Sequence, residues 1–419
     1  MEIKIHRGLD QIGGCITEIS TETSRVFIDF GQNLPGNGEP TPPEEDKELV
    51  SRILAQNKKE HEAVFYTHGH EDHVGLFVYV PDGVPQYMSE GTKELLSIKY
   101  QLLYEGADRR VTDTLDKGFD QQEQNDALLR RTYADNRRKL LERVNVWQKT
   151  LPGKSPARIA IGDISITPFY NCHSIYDSHM FLIEADGKRI WHTGDYRRHG
   201  YMGKGLFPTL EKYATDIDVL ITEGTLLNQD VECIHEREVS SMMASVMQAY
   251  KYVFILASAT DIERLAAIKE AAKEADKQLY VCSTFMKKTM QFFTARESKM
   301  SKGLFAFKPL SYSERMYTKL KRRGFAMVAG TSQIERIREL LGTLPQEDTL
   351  LIYSSWDGYY KIPEQINANP RYKEFREMFH NVVDIHTSGH ADRQTIERVI
   401  KCVKPKEVIC IHKEADAKL

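Results

Sequence analysis

Four side chains able to bind a metal ion stand within six positions, directly after a short apolar run. The run AVFYTH (63–68) ends at His68, and His70, Asp72 and His73 follow it. Two imidazoles spaced two positions apart can reach one ion, while the carboxylate and the next imidazole can face a second. This donor set suits zinc, with manganese as the alternative. The spacing therefore predicts a two-metal centre at the end of a strand.

Hydrolysis is the reaction that such a centre performs. Two cations about 3.5–4 Å apart acidify a bound water and stabilise the charge that grows on the attacked group. A chance cluster is the alternative interpretation, because surface loops collect His and Asp. Four such residues in one short loop favour the metal site.

The pattern HxHxDH at 68–73 resembles the signature of the metallo-β-lactamase superfamily, and other segments follow in that family's order. Asp29, in VFIDFG, resembles the acidic residue that orients the ligands. His173, in NCHS, resembles a ligand of the first metal, and Asp195, in HTGDY, resembles the carboxylate that bridges both metals. The resemblance implies His68, His70 and His173 on one ion, Asp72, His73 and His412 on the other, and Asp195 on both.

A long stretch separates Asp195 from His412, and in this layout the chain resembles the β-CASP nucleases. Glu223 in TEGT, His390 in HTSGHAD and His412 in IHKE match their three added motifs. Within these nucleases the chain most resembles the RNase J family, without that family's C-terminal domain. A histidine at the last motif resembles the RNA-acting members. The resemblance therefore implies a metal-dependent ribonuclease, exonucleolytic or endonucleolytic, that takes part in RNA processing.

The same resemblance implies roles for other residues. The catalytic set is Asp72, His390, Glu223 and Asp29, with His390 bonding the phosphate or assisting the departing oxygen. Loops rich in serine bind the 5′-phosphate in RNase J-like enzymes, and the substrate-binding residues here would be Ser354, Ser355, Ser388, Gly389 and His390. Turn formation is the alternative role of these serines. The expected partner is single-stranded RNA and not a membrane, and a homodimer is left open.

The elements that must position these residues change in character along the chain. Short strands ending in polar residues open it and return at 164–224, so the chemistry sits at strand ends. A helical insertion is predicted at about 105–150, with an apolar stripe packed on the host domain. The stripe comprises Leu129, Tyr133, Leu140, Val144 and Trp147.

Helices and strands alternate from about residue 226, which is typical of a parallel sheet flanked by helices. The predicted fold class is α/β, a metallo-β-lactamase αββα sandwich with an inserted β-CASP α/β domain. The expected domains are 1–205 with 361–419 for the sandwich and 206–360 for the β-CASP domain.

Composition limits the alternatives. The chain has 419 residues, 41% hydrophobic and 28% charged, with no long apolar run and no secretion signal at its start, so a cytoplasmic protein is expected. Six scattered cysteines suit buried, reduced thiols. A net charge of −3 requires any nucleic-acid surface to be local, with KLKRRG at 319–324, MKK at 286–288 and YRR at 196–198 as candidates.

Three other functions fit the same residues. A small-molecule ester, thioester or lactone hydrolase would share the metals and use the insertion as a lid. A nuclease specific for single-stranded DNA would share the whole site. A non-catalytic subunit that binds nucleic acid is the least favoured, because such subunits generally lose metal ligands and this sequence keeps a full candidate set.

Overall fold

The structure, a computed structural model, describes residues 1–34, 41–116, 120–148, 156–297 and 301–419. The chain folds into two compact units. The first unit comprises Met1–Tyr196, Gly205–Asp230 and Ala391–Leu419, and the second comprises Arg197–Lys204 and Val231–His390.

The first sheet of the first unit has six strands in sequence order. These are β1 (Glu2–Arg7), β2 (Ile16–Ser20), β3 (Ser24–Ile28), β4 (His61–Phe65), β5 (Gln86–Met88) and β6 (Asn145–Val146). The pairs β1–β2 and β2–β3 are antiparallel. From β3 onward the pairs are parallel, so that β3 and β4 end at the same edge of the sheet.

The second sheet also has six strands. These are β7 (Ile159–Ile161), β8 (Ile164–Asn171), β9 (Ser178–Ala185), β10 (Lys188–His192), β11 (Val219–Glu223) and the last strand of the chain (Glu407–Ile411). The last strand pairs in parallel with β11, which pairs in parallel with β10. Three strand ends that are distant in sequence therefore meet at one edge.

Helices cover the outer faces of the two sheets. They are α1 (Pro43–Ala55), α2 (Glu71–Val74), α3 (Glu90–Asp116), α4 (Gln121–Arg143), α5 (Leu206–Tyr213) and the last helix (Arg393–Val403). A buried layer that includes Val26, Phe65, Phe181 and Ile221 fills the space between the sheets. The first unit is thus a four-layer αββα sandwich, and the predicted fold class is confirmed. None of the helices in the described residues is long and apolar enough to cross a membrane.

The predicted helical insertion is a pair of packed helices, α3 and α4, the first of which begins at Glu90. Residues 117–119 and 149–150 of the predicted range lie outside the described residues. The predicted apolar stripe is wrong at Leu129 and Tyr133, which are 67% and 47% exposed. The buried side chains of α4 are Ala127, Ala134 and Leu141. Two of these three side chains are alanines, so the buried face of α4 includes small residues that the predicted stripe did not contain.

The second unit is built on a six-stranded, fully parallel sheet. Its strands are β12 (Tyr252–Leu256), β13 (Leu279–Val281), β14 (Leu310–Ser311), β15 (Phe325–Ala329), β16 (Thr349–Tyr353) and β17 (Asn381–Asp384). Its helices are α6 (Glu236–Ala249), α7 (Ile262–Glu274), α8 (Thr284–Ala295), α9 (Tyr317–Arg323), α10 (Ile334–Leu341), α11 (Gly358–Lys361), α12 (Pro363–Ala368) and α13 (Arg371–Glu377). The last helix and last strand of the chain are accordingly α14 and β18.

The limits of the second unit differ from the predicted range 206–360. The strand β17 pairs with β16, so the chain remains in this sheet until residue 384 and leaves the unit after His390. Residues 205–230, which form α5 and β11, belong to the first unit because β11 is an inner strand of its second sheet.

Candidate metal centre

Five of the predicted site residues follow strand ends in the first unit. Asp29 follows β3, His68 follows β4, His173 follows β8, Asp195 follows β10 and His412 follows β18. The backbone of Asp29 (φ 63°) and of His412 (φ 53°) is left-handed, a conformation that Asp and His adopt more readily than most residues. The chain therefore turns sharply at these two residues, directly after each strand.

Three imidazoles form one group of donors. The Nδ1 atom of His70 lies 3.1 Å from the Nε2 atoms of both His68 and His173. A neutral imidazole carries only one N–H, so three nitrogens that converge in this way cannot all be satisfied by one another. One cation between them would accept all three lone pairs, which makes the set fit a metal of the zinc type.

Two carboxylates and two further imidazoles form the adjoining group. The Nε2 of His412 lies 3.1 Å from Asp72 Oδ2 and 3.5 Å from Asp195 Oδ2. The Nε2 of His73 lies 3.1 Å from Asp195 Oδ2. All four side chains are buried, and a donor set of mixed nitrogen and oxygen suits zinc or manganese.

Asp195 lies between the two groups. Its Oδ2 is 3.9 Å from His68 Nε2 and 3.8 Å from His173 Nε2, besides its approach to the second group. The amide of Asn171 donates hydrogen bonds of 2.9 Å to the carbonyl oxygens of Thr193 and Asp195, which fixes the loop that carries the carboxylate. One carboxylate oxygen thus faces both groups of imidazoles.

Charge is concentrated at His73. Burial disfavours its protonated form, but the carboxylates of Asp195, Asp72 and Asp29 outweigh burial and raise the pKa of His73 well above its ordinary value. Burial and the neighbouring imidazoles lower the pKa of His68 well below its ordinary value. The carboxylates therefore favour the protonated form of His73, whereas burial and the other imidazoles favour the neutral form of His68.

Asp29 orients two of the histidines. Its Oδ1 accepts from the backbone N–H of Thr67 (2.7 Å), and its Oδ2 accepts from the Thr67 hydroxyl (2.8 Å) and lies 2.8 Å from His73 Nδ1. Because the Thr67 hydroxyl proton points to the carboxylate, its oxygen accepts from His68 Nδ1 at 2.9 Å. In the neutral form of each ring the proton is therefore on Nδ1, and the Nε2 directed into the site carries the lone pair.

Glu223 orients His412 through a second threonine. The hydroxyl of Thr225 donates to Glu223 Oε2 (2.7 Å), and its oxygen lies 2.8 Å from His412 Nδ1. A carboxylate accepts only, so the ring must be the donor to Thr225 and its Nε2 carries the lone pair. Glu223 also accepts from the backbone N–H of Tyr196 at 3.0 Å and of Ala391 at 3.3 Å, so it is held firmly at the end of β11.

The loop that carries Asp72 packs tightly against the chain after β3. A Cβ atom on Gly31 would lie 1.7 Å from the carbonyl oxygen of Asp72, so only glycine fits there. The same carbonyl accepts from the backbone N–H of Cys15 at 3.1 Å. The Cys15 thiol is fully buried beside the histidines, and burial raises its pKa, which leaves it a protonated thiol.

The remaining predicted site residues belong to the second unit. Ser388 Oγ accepts from the backbone N–H of His390 at 3.1 Å, which shapes the turn over Gly389. The carbonyl oxygen of Ser388 in turn lies 2.6 Å from His199 Nε2 and 3.4 Å from Arg197 Nη1. Two basic side chains therefore fix the backbone that presents Ser388 and His390.

Ser354 differs in environment from Ser355. Ser354 is only 3% exposed, and its Oγ accepts from the buried guanidinium of Arg264 at 2.7 Å. Ser355 is half-buried and Trp356 is exposed. This geometry favours a structural role for the Ser354 hydroxyl, and Ser355 is the better placed of the pair to meet a ligand.

Thr67, Thr225 and Asn171 escaped the motif-based prediction. Thr67 precedes His68 in YTH, and Thr225 lies two positions after Glu223 in TEGT, so closeness to a motif residue was the available signal. Each threonine orients a histidine through the direction of its hydroxyl hydrogen bond, and residue spacing does not show that direction.

Comparison with known proteins gives a consistent picture. The family model described as "Zn-dependent metallo-hydrolase RNA specificity domain" matches residues 378–419. Ribonuclease J of Sinorhizobium meliloti is 22% identical over 408 residues, covering 93% of this chain and 64% of that protein. The RNase J-like protein of Methanocaldococcus jannaschii is 28% identical over 226 residues, covering 53% and 42%. Ribonuclease J 1 of Streptococcus pyogenes is 23% identical over 431 residues, covering 97% and 67%.

The chain spans less than two thirds of the length of the first two of these relatives. A crystal structure of a protein of unknown function from Enterococcus faecalis V583 is similar over 99% of this chain and 94% of its own, with a TM-score of 0.69 and 18% identity. That likeness concerns the fold.

The fold and the donor set are consistent with the metallo-β-lactamase fold carrying an inserted β-CASP domain. In sequence the chain is similar to RNase J proteins, as the resemblance of its motifs predicted.

Proposed function

We propose that this protein is a metal-dependent ribonuclease that hydrolyses phosphodiester bonds of single-stranded RNA. The observation that carries the proposal is the convergence of five imidazoles and two carboxylates, with donor atoms separated by 3.1–3.9 Å, at the strand ends of the first unit. The names of the similar proteins, which are ribonucleases, support RNA as the substrate.

Two zinc ions are proposed as the resident metals. His68, His70 and His173 would hold one, Asp72, His73 and His412 the other, and Asp195 both. Bound there, the ions would supply an acidified water as nucleophile and offset the charge that develops on the phosphate.

The side chains of the protein supply orientation. Asp29 and Thr67 hold His68 and His73, and Glu223 and Thr225 hold His412, so that each ring faces the site with its lone pair. His390 is proposed to donate a hydrogen bond to the phosphate or to the departing oxygen. Ser355, Ser388 and Gly389 are proposed to bind the 5′-phosphate, with Ser354 supporting the loop from below.

The test is hydrolysis of end-labelled RNA by zinc-loaded protein, with matched single-stranded DNA and a thioester as alternative substrates. RNA cleavage that Asp72→Asn reduces by about a thousandfold or more is expected, because Asp72 contributes a ligand oxygen. The exposed Asp230→Asn is the matched control and keeps full activity. Inert RNA beside rapid DNA or thioester hydrolysis would transfer the proposal to another substrate class, and full activity of Asp72→Asn would refute the site.

A further inference from the structure

The second unit has a large cavity at the edge of its sheet where the strands begin. Gln278 and Leu279, at the start of β13, and Gly324, which precedes β15, line it. Ser354 and Ser388 follow the opposite ends of β16 and β17. Within this unit, this edge of the cavity therefore lies across the sheet from the loops proposed to bind the 5′-phosphate, while another wall, at Met202 and Arg237, reaches the first turns of α6 and α7.

Positive charge dominates the walls of this cavity. Among the residues that the structure describes, eight lysine and arginine side chains line it, against two acidic ones, Glu270 and Asp276. Six of the eight are exposed: Lys204, Arg237, Lys273, Lys302, Lys308 and Arg323. The whole chain has a net charge of −3, so this local surplus departs from its average and creates a positive potential.

The exposed basic side chains are available to a ligand. None of the six forms an ion pair with any residue that the structure describes. Of the two acidic residues, Glu270 forms an ion pair with Lys269 at 3.2 Å. Lys269 also donates to the carbonyl oxygens of Gly303 (3.0 Å) and Leu304 (2.7 Å), so it holds a wall of the cavity in place. Pockets for small molecules are, in contrast, lined mainly by hydrophobic and aromatic side chains.

The size of the cavity indicates an extended ligand. Its volume of about 1330 Å³ exceeds the roughly 300–1,000 Å³ of sites for small molecules. The aromatic rings at its walls, Tyr201 and Phe307, are half-buried and buried, which provides little surface for stacking on bases. Recognition would thus act on phosphates and be indifferent to sequence.

We infer that this basic cavity binds the phosphate backbone of single-stranded RNA outside the catalytic centre. The inference rests on the proposed ribonuclease function for its choice of RNA among polyanions. The cavity would be a second binding site for long substrates. An oligonucleotide of a few residues would need only the catalytic centre.

The experiment compares two triple variants of the full chain. The first, Lys273→Gln/Lys308→Gln/Arg323→Gln, removes three charges from the cavity. The second, Lys319→Gln/Arg371→Gln/Lys373→Gln, removes three exposed charges of the same unit that do not line it. Binding of a phosphorothioate RNA of about 30 nucleotides, which resists cleavage, is followed by fluorescence anisotropy at several salt concentrations.

Each phosphate contact on a single strand contributes about 0.7 to the slope of log K against log salt. The cavity variant is expected to lower that slope by about 2 and to weaken binding about 100-fold near 0.1 M salt, and the control variant to change neither. Hydrolysis of a tetranucleotide is expected to be unchanged in both. An unchanged slope in the cavity variant would overturn the inference, even with ribonuclease activity intact.

Two further results separate the possibilities. If the wild type binds the long RNA with a slope that the cavity variant lowers by about 2, but cleaves no RNA, the proposed function fails and the cavity remains an RNA site. If inorganic tripolyphosphate binds and the cavity variant loses that binding while its RNA slope is unchanged, the inference is overturned in favour of a small-anion site.

Discussion

Removing the hydroxyl of Thr225 tests how the site controls His412. The variant Thr225→Val keeps the shape of the side chain but deletes both the 2.7 Å bond to Glu223 and the 2.8 Å bond to His412. His412 Nδ1 then loses the acceptor that keeps its proton away from the site. The ring is free to carry its proton on Nε2, the atom that lies 3.1 Å from Asp72, and in that form it cannot be a metal ligand.

The size of the effect follows from what the hydroxyl does. Loss of the partner of a ligating histidine typically lowers metal affinity or activity 10- to 100-fold, which corresponds to about 1.4–2.7 kcal/mol. Deleting a donor to a buried carboxylate adds a stability cost of about 1–3 kcal/mol, because the partner Glu223 is 1% exposed. We expect weaker binding of one of two metal ions, with the other unaffected.

Metal affinity is measured by competition with a chelator, and the tautomer of His412 by nitrogen NMR of the ring. Thr225→Ser, which keeps a hydroxyl, is the matched control and should retain affinity, turnover and the Nδ1–H tautomer. A Thr225→Val protein that binds two ions with wild-type affinity, or whose His412 ring stays protonated on Nδ1, would refute the relay.

Two predictions concern packing and buried charge. Gly31→Ala should destabilise the fold by more than about 1 kcal/mol in urea unfolding, since the new Cβ would lie 1.7 Å from the Asp72 carbonyl, whereas Gly83→Ala meets nothing within 4 Å and should be nearly neutral. Arg264→Met should cost about 3–5 kcal/mol, because it leaves buried Glu236 without two hydrogen bonds of 3.0 Å, whereas the exposed Arg338→Met should cost less than about 1 kcal/mol. Equal destabilisation within either pair would contradict the reasoning.

The sandwich and the inserted α/β unit were predictable because strand and helix periods are local properties of the sequence. Runs such as RVFIDFG and YVFILAS became β3 and β12. Helix α1 was not anticipated, although PPEEDKELV has proline at its first turn and acidic residues directly after it, both typical of a helix start. These helix-start features were present in the sequence, but a polar segment of this kind also resembles a loop.

The packing of α3 against α4 was less predictable. The large apolar residues Leu129 and Tyr133 suggested the buried face, and the structure buries Ala127 and Ala134 instead. Periodicity shows that a helix has a preferred face, but whether that face accepts large or small side chains depends on the partner helix. The predicted end of the second unit, residue 360, differs from the observed one because β17 pairs with β16, and local sequence patterns do not show which strands pair.

The candidate ligands could be gathered from the sequence only because their order matched a known family, and the topology explains why that order works. The strands β10, β11 and β18 are parallel neighbours, so Asp195, Glu223 and His412 emerge at one edge although their positions in sequence are far apart. On the opposing sheet, the parallel pair β3–β4 brings Asp29 beside Thr67 and His68 in the same way. In each sheet a carboxylate at one strand end acts through a threonine on a histidine. Thr67 orients His68 and Thr225 orients His412, which are proposed ligands of different ions. Thr67→Val should therefore weaken binding of the ion held by His68, and Thr225→Val binding of the ion held by His412.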